Sequence, residues 1–370
     1  MIDTIMKNLW FSSPHTPTRQ VKNKGKKQEK KTVKAQNVLE PVLEIGNELN
    51  IINGQVVSER PFMIDSKTFN SSGERDAILA SSGMGKSYLM GVILEEILEK
   101  SNQVVFVFDP EGEWYTLRDR YNTDKKAFRV VGKKGSGFND FPVDLRFAHD
   151  ASEEDIVNAV NDFEMKVAPM VRAMIAAGVS CVFDMSRLGT RESLEAYTVI
   201  AEAIFRGENN LSEDDESDNG TCRKVRMIVD EAHVFAPQKT SSDHDRLSLA
   251  VTEKIAKRGR KRNLHLLVAT QRPQSINKNV ISQCNRFWLG GIQSEHDYKA
   301  NKSYYEAAQL SLKDVQSFPT GRFCYSAGSV RAMIKSRKRH CKHGGATKQE
   351  SSKPVLSAKE ADELLAGFLK

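Results

Sequence analysis

The chain has 370 residues, 39% of them hydrophobic and 28% charged, with a formal net charge of +7. That is apolar material enough for one large or two modest cores, while the lack of any window near ~20 uninterrupted apolar residues excludes an ordinary membrane span. Five scattered cysteines (Cys181, Cys222, Cys284, Cys324, Cys341) without a C-x-x-C pair exclude a disulfide framework or a zinc cluster, and an N-terminus with an early acid does not read as a secretory signal, so a cytoplasmic setting is expected.

Residues 1–36 are expected to form a disordered basic tail. Within them, 16–34 hold eight Lys/Arg against one Glu, which accounts for the whole net charge, in a polar run unable to bury enough surface to order itself. Such a run fits a solubilising tail and an anchor on nucleic acid, an acidic partner or a membrane surface equally well. Residues 37–70 change character: L-N-I-I-N-G-Q-V-V sets two β-prone runs around Asn53-Gly54, the strongest short hairpin signal, and predicts a short β-rich N-terminal module.

From 71 to 345, apolar strands alternate with helical segments, which predicts an α/β fold with a mainly parallel sheet. Strands are expected at 77–80, 104–108, 128–131, 180–183, 225–229, 264–269, 287–290 and 323–326, and helices most clearly at 87–100 and 153–177. Residues 346–370 are read as a C-terminal helical tail, and the acidic stretch 207–220 as an exposed insertion.

The first of these strands runs into A-S-S-G-M-G-K-S, residues 80–87. An apolar run, a glycine-bearing loop and a helix start are the parts of a phosphate-binding loop, in which backbone amides and a helix N-terminus face the anion. Ser82, Gly83, Met84, Gly85, Lys86 and Ser87 would wrap the phosphates. Lys86 would reach the β- and γ-oxygens and Ser87 would ligate magnesium. The pattern departs from G-x-x-x-x-G-K-[ST] at its first position, which is Ala80, and taken alone the stretch also fits a Ser/Gly turn with a chance lysine.

Further along, D-P-E-G-E (109–113) fits either a turn built by Pro110 and Gly112 or a segment at the nucleotide edge of the sheet. The strand V-R-M-I-V ends in Asp230-Glu231, putting two carboxylates at the carboxyl edge, where open α/β sheets bind ligands. Asp230 would hold magnesium through water, and Glu231 would deprotonate the water attacking a γ-phosphate. The strand at 264–269 ends in Thr270-Gln271, with Gln271 placed to sense that phosphate. Just before it, Arg258, Arg260, Lys261 and Arg262 form a cluster that fits a solvated helix end, although in an ATPase a guanidinium from it could be delivered across a subunit interface to the γ-phosphate. The closing H-C-K-H-G-G (340–345) offers too few ligands for a zinc site and reads better as a basic strand or clasp.

Together, A-S-S-G-M-G-K-S, F-V-F-D-P-E-G-E-W, I-V-D-E-A-H, R-G-R-K-R-N-L-H-L-L-V-A-T-Q-R-P and R-H-C-K-H-G-G, in this order, resemble the HerA–FtsK branch of P-loop NTPases, specifically HerA-like DNA translocases and helicases. The resemblance implies a RecA-like (ASCE) ATPase core using ATP and Mg2+. In it, Lys86 and Ser87 serve the phosphates and metal, Asp230 and Glu231 act as metal and catalytic carboxylates, Gln271 as sensor and Arg260 as a finger acting in trans. It further implies a homo-oligomer, a hexameric ring pulling double-stranded DNA through its centre, often with a nuclease or another effector. Lys133 and Lys134 are candidates for gripping phosphates in the pore. The family's N-terminal barrel is much reduced, and the chain is short for a complete HerA-type helicase. A second reading is a nucleotide-switched hexameric scaffold that regulates a partner enzyme without translocating.

Overall fold

The computed structural model describes residues 42–342 and 344, apart from 53, 66–68, 70–72, 125, 133–139, 143–144, 149, 208 and 211–222. The basic tail, Lys133 and Lys134, most of the acidic stretch, Cys222 and the C-terminal tail lie outside the described residues.

In chain order the elements are β1 (Val42–Ile52), β2 (Gln55–Asp65), β3 (Arg75–Leu79), α1 (Lys86–Lys100), β4 (Val104–Asp109), α2 (Leu117–Tyr121), β5 (Phe128–Gly132), β6 (Phe141–Pro142) and α3 (Glu153–Ala177). There follow β7 (Ser180–Asp184), α4 (Thr190–Arg206), β8 (Val225–Val229), α5 (Asp243–Arg258), a 3-10 turn (Gly259–Arg262), β9 (Leu264–Thr270) and α6 (Lys278–Ile281). The chain then forms β10 (Arg286–Leu289), α7 (Glu295–Ala300), α8 (Lys302–Ala307), α9 (Leu312–Gln316), β11 (Arg322–Ala327) and β12 (Val330–Ser336).

All twelve strands form one sheet in the order β2-β1-β12-β11-β10-β3-β9-β8-β4-β7-β5-β6. From β10 to β6 the neighbours are parallel, and from β10 to β2 they are antiparallel. This is an α/β core with a mainly parallel sheet, in which one strand, β9, separates the phosphate-loop strand β3 from the carboxylate strand β8. The central strands read V-V-F-V-F-D, V-R-M-I-V and L-H-L-L-V-A-T and are buried throughout, as expected where helices cover both faces of a parallel sheet.

Local chemistry sets the helix limits. Ser152 and Asp155 form a reciprocal capping box at the start of α3, Gly178 (φ 76°) closes its end, and Ser242 with Asp245 repeats the box on α5. All eight expected strands are present. The runs around Asn53-Gly54 extend to eleven residues each, and their hairpin is continuous with the main sheet through β12. β12 itself went unread, although Gly328 and Ser329 between Ala327 and Val330 make a two-residue hairpin turn. No helix among the described residues is long and apolar enough to cross a membrane.

At the amino edge of the sheet, Asp76 of β3 is fully buried and accepts from Arg286 Nε (2.8 Å), Arg226 Nη1 (3.1 Å) and Trp288 Nε1 (3.2 Å). Burial alone would raise its carboxyl pKa, but the two guanidiniums bring it below the usual range. The phosphate-loop strand is thereby pinned to β8 and β10 from the side opposite the site. Removing one member of such a buried pair typically costs about 3–5 kcal/mol.

Candidate functional site

The loop after β3 has the backbone a phosphate nest needs. Gly83 and Gly85 adopt φ values of 76° and 91°, which only glycine takes without strain. The Ser81 amide donates to Gly291 O (2.8 Å) and the Met84 amide to Ser81 O (3.2 Å). The bond from Leu89 N–H to Gly85 O (3.0 Å) opens the α1 ladder, so the amides of Lys86, Ser87 and Tyr88 precede it and have no carbonyl of their own helix to bond. They face an open cleft of about 600 Å³ that Ser81, Ser82, Gly83, Gly85, Lys86 and Ser87 help to line.

Ala80, which stands where the pattern expects glycine, is fully buried. Its methyl group occupies space left by another glycine: a Cβ on Gly290, at the end of β10, would lie 2.7 Å from Ala80 Cβ and 2.7 Å from the Phe323 ring. The requirement for a small residue has moved to the neighbouring strand. Gly290→Ala is therefore expected to destabilise the fold by about 1–3 kcal/mol through overpacking, read as a lower denaturant midpoint, and Ala80→Gly in the same chain should recover part of the loss.

β8 delivers the carboxylates. Asp230 N–H donates to Phe108 O (3.2 Å), and Glu231 turns into the left-handed region at φ 43°. For a non-glycine residue that conformation is strained and is held only where the surroundings determine it. Here it aims the Glu231 carboxylate at Lys86, which donates to Glu231 Oε1 at 2.9 Å and to Asp230 Oδ1. Gln271, just past the end of β9, binds Glu231 twice, through Nε2 to Oε1 (2.6 Å) and through its amide to Oε2 (3.2 Å). His233 Nδ1 lies 3.0 Å from Thr270 Oγ1 and 3.3 Å from Glu231 Oε2.

Burial by itself would raise the Glu231 pKa. The His233 contact, Lys86 and the Gln271 amide outweigh it and hold the carboxyl down at about 2. Burial likewise disfavours the Lys86 ammonium, yet the paired carboxylates raise its pKa above the ordinary value. At the end of β4, Asp109 shows the opposite balance: burial and the nearby Asp230 and Asp184 charges push it up to about 7, against the amides of Trp114 and Glu113.

The structure thus brings Lys86, Asp230, Glu231 and Gln271 together beside the phosphate loop. It does not bring Arg260 there. Arg260 is exposed on the 3-10 turn before β9, and the seven residues of β9 span roughly 23 Å at ~3.3 Å per residue, so it stands a strand length from its own Gln271. Sequence reasoning missed the far wall of the cleft, formed by Tyr88, Thr320, Gly321, Lys335 and Ser336. Thr320 Oγ1 donates to Gly83 O (3.2 Å) and the Gly321 amide to Met84 O (3.0 Å). The only local signal was the turn P-T-G at 319–321.

The donor set fits a magnesium nucleotide. No group of three or more His, Cys, Asp or Glu able to hold a metal occurs among the described residues, but Mg2+ is usually held by one or two protein oxygens plus substrate phosphates. Ser87 on the cleft and Asp230 beside Lys86 supply that number. The described part of H-C-K-H-G-G packs on α1, where the amides of His340 and Cys341 donate to Glu95.

The family model described as "Helicase HerA, central domain" matches residues 54–162. A DNA double-strand break repair helicase HerA of Sulfolobus acidocaldarius is 26% identical over 269 residues, covering 56% of this chain and 52% of that protein. A probable helicase of Methanocaldococcus jannaschii is 25% identical over 287 residues, covering 60% and 54%. The chain thus spans about half the length of these relatives. Among solved structures, VirB4 of Thermoanaerobacter pseudethanolicus aligns with a TM-score of 0.49 at 14% identity, over 80% of this chain and 96% of that one. The HerA match runs from the hairpin across the phosphate loop and β4, and beyond it the strand order sets Asp230, Glu231 and Gln271 against Lys86: over this central region the chain is similar to the HerA helicases.

Proposed function

We propose that the chain is an ATP-hydrolysing motor that assembles as a ring, in the form of a hexamer, and moves along double-stranded DNA, acting with a nuclease or other effector. One observation carries the reading: the phosphate-loop lysine, the catalytic glutamate and the strand-end glutamine form a single hydrogen-bonded group at the carboxyl edge of the sheet. The DNA part is supported by the HerA relatives, whose names describe break-repair helicases.

The residues divide the work. Loop amides and the N-terminus of α1 hold the phosphates. Lys86 turns its ammonium from the two carboxylates to the β- and γ-oxygens. Glu231, relieved of that ion pair, gains basicity and takes a proton from the attacking water, while Gln271 links Glu231 to the state of the γ-phosphate. Ser87 and Asp230 would hold Mg2+, which when bound neutralises charge on the phosphate oxygens.

The test is ATP hydrolysis with and without duplex DNA, together with displacement of a third strand from a triplex. A motor gives duplex-stimulated hydrolysis and ATP-dependent displacement in one direction. Hydrolysis that ignores duplex, with no displacement, would support the switched scaffold. A persistent monomer in the presence of duplex and a non-hydrolysable ATP analogue would sink both.

A further inference from the structure

The metal-site aspartate has a partner that none of the motifs announces. Asp230 is buried and its two oxygens are held separately. Oδ1 takes Lys86 Nζ and the Glu231 amide (2.9 Å), and Oδ2 takes the indole Nε1 of Trp114 at 3.0 Å. An indole N–H only donates, so it can neither compete for a cation nor change protonation with pH. Its effect on a carboxylate is to fix the rotamer.

Trp114, fully buried, is set by the segment that ends β4. Asp109 accepts the Gly112 amide (2.8 Å) and the Trp114 amide (2.9 Å). Gly112 has φ 73°, and a Cβ there would come within 2.8 Å of Ser186 Oγ. D-P-E-G-E-W is therefore both a turn and a part of the nucleotide edge: the turn delivers the indole to Asp230.

The other face of the indole belongs to the end of the described chain. The Arg339 guanidinium lies 5.1 Å from the Trp114 ring centroid, and its side chain is 3% exposed. Its Nε and Nη2 have no hydrogen-bond partner among the described residues, and Nε stands 4.0 Å from Glu95 Oε1, so this buried cation lies between that carboxylate and the ring, an arrangement worth more when desolvated than at a surface. The Arg339 amide donates to the hydroxyl of Tyr88 (2.9 Å), next to Ser87. On either side the segment is tied down by Arg337 to Glu95 (2.9 Å) and Glu96 (2.8 Å) of α1, and by Thr116 Oγ1 to Lys342 O (2.7 Å). Residues 337–342 thus clamp α1 to the 109–116 turn, the two walls between which Asp230 sits.

We propose that Trp114 is a positioning residue that fixes Asp230 for the divalent cation of a bound nucleotide, and that Arg339 holds the indole in place. The C-terminal segment then acts on the metal site. This rests on the nucleotide-binding reading above, and the experiment separates the two. The probes are Mn2+, followed by electron paramagnetic resonance, and the analogue AMP-PNP. Trp114→Phe should bind AMP-PNP in EDTA within about twofold of the unaltered chain, while its half-saturating Mn2+ with AMP-PNP rises by about 10- to 100-fold, the usual range when a partner of a metal ligand is removed. Arg339→Leu should shift the Mn2+ requirement the same way, and Arg339→Lys should restore part of it. An unchanged Mn2+ requirement in Trp114→Phe, or an equal loss of AMP-PNP affinity with and without metal, overturns the proposal. If Trp114→Phe does not fold, Arg339→Leu decides: an unchanged requirement there overturns it as well. An unaltered chain that binds no AMP-PNP defeats the nucleotide reading instead.

Discussion

Glu231→Gln is expected to reduce ATP hydrolysis by about 10²- to 10⁴-fold, the range over which a positioned general base contributes, while leaving the chain folded and able to bind nucleotide. The expectation follows from the way the site is partitioned. Lys86 retains Asp230 after the substitution, so no buried ammonium is left unpaired; the one oxygen left at position 231 can still accept from the Gln271 amide, and a flipped Gln271 carboxamide can accept from the new NH2. What is lost is the ability to accept a proton. In the present arrangement that ability is suppressed, since the contacts with His233, Lys86 and Gln271 hold the carboxyl at about 2. A phosphate that draws Lys86 away removes one of those contacts and raises the basicity of Glu231 only when substrate is in place. Single-turnover hydrolysis with nucleotide binding measured in parallel checks this. Hydrolysis within about threefold of the unaltered chain would remove Glu231 from the role of base. A variant that loses hydrolysis yet keeps every biological output would favour the switched scaffold over the motor.

The parts legible in the sequence were those written locally. A strand shows as an apolar run, and the residue ending it shows as the first polar letter after the run, which is how Asp230, Glu231 and Gln271 were found without knowing the strand order. Lys86 was found through the glycines ahead of it. What escaped were contacts created by the sheet order. Gly290 meets Ala80 because β10 pairs with β3 in parallel, Leu289 beside Leu79, and these positions lie more than 200 residues apart. The far wall of the cleft, from Thr320 to Ser336, arises because β11 and β12 fold back on the other side of β10. The Trp114 bond to Asp230 needs β4 and β8 to be neighbours, and the Arg339 contact needs residues 337–342 to return over α1. No periodicity in a single segment carries such information, because each depends on which strand is chosen as a neighbour.

Arg260→Ala is expected to leave stability within about 0.5 kcal/mol, as for most exposed positions, and yet to cut hydrolysis by about 10³- to 10⁵-fold if its guanidinium serves as a finger. The geometry forces the form of the test. Gln271 and Arg260 lie at opposite ends of β9, so an Arg260 that reaches a γ-phosphate must reach that of another copy. In a ring closed by head-to-tail contacts each site then draws Glu231 from one subunit and Arg260 from the next. Neither Glu231→Gln nor Arg260→Ala hydrolyses alone. Mixed, they form about a quarter of interfaces in which an Arg260→Ala subunit contributes an intact Glu231 and its Glu231→Gln neighbour contributes an intact Arg260. Activity should therefore reappear on mixing two inactive proteins, an outcome that action within one chain cannot produce. A mixture that stays inactive after subunit exchange has been verified by native mass would place Arg260 outside the neighbouring site. An Arg260→Ala protein as active as the unaltered chain would return Arg260 to a solvated helix end.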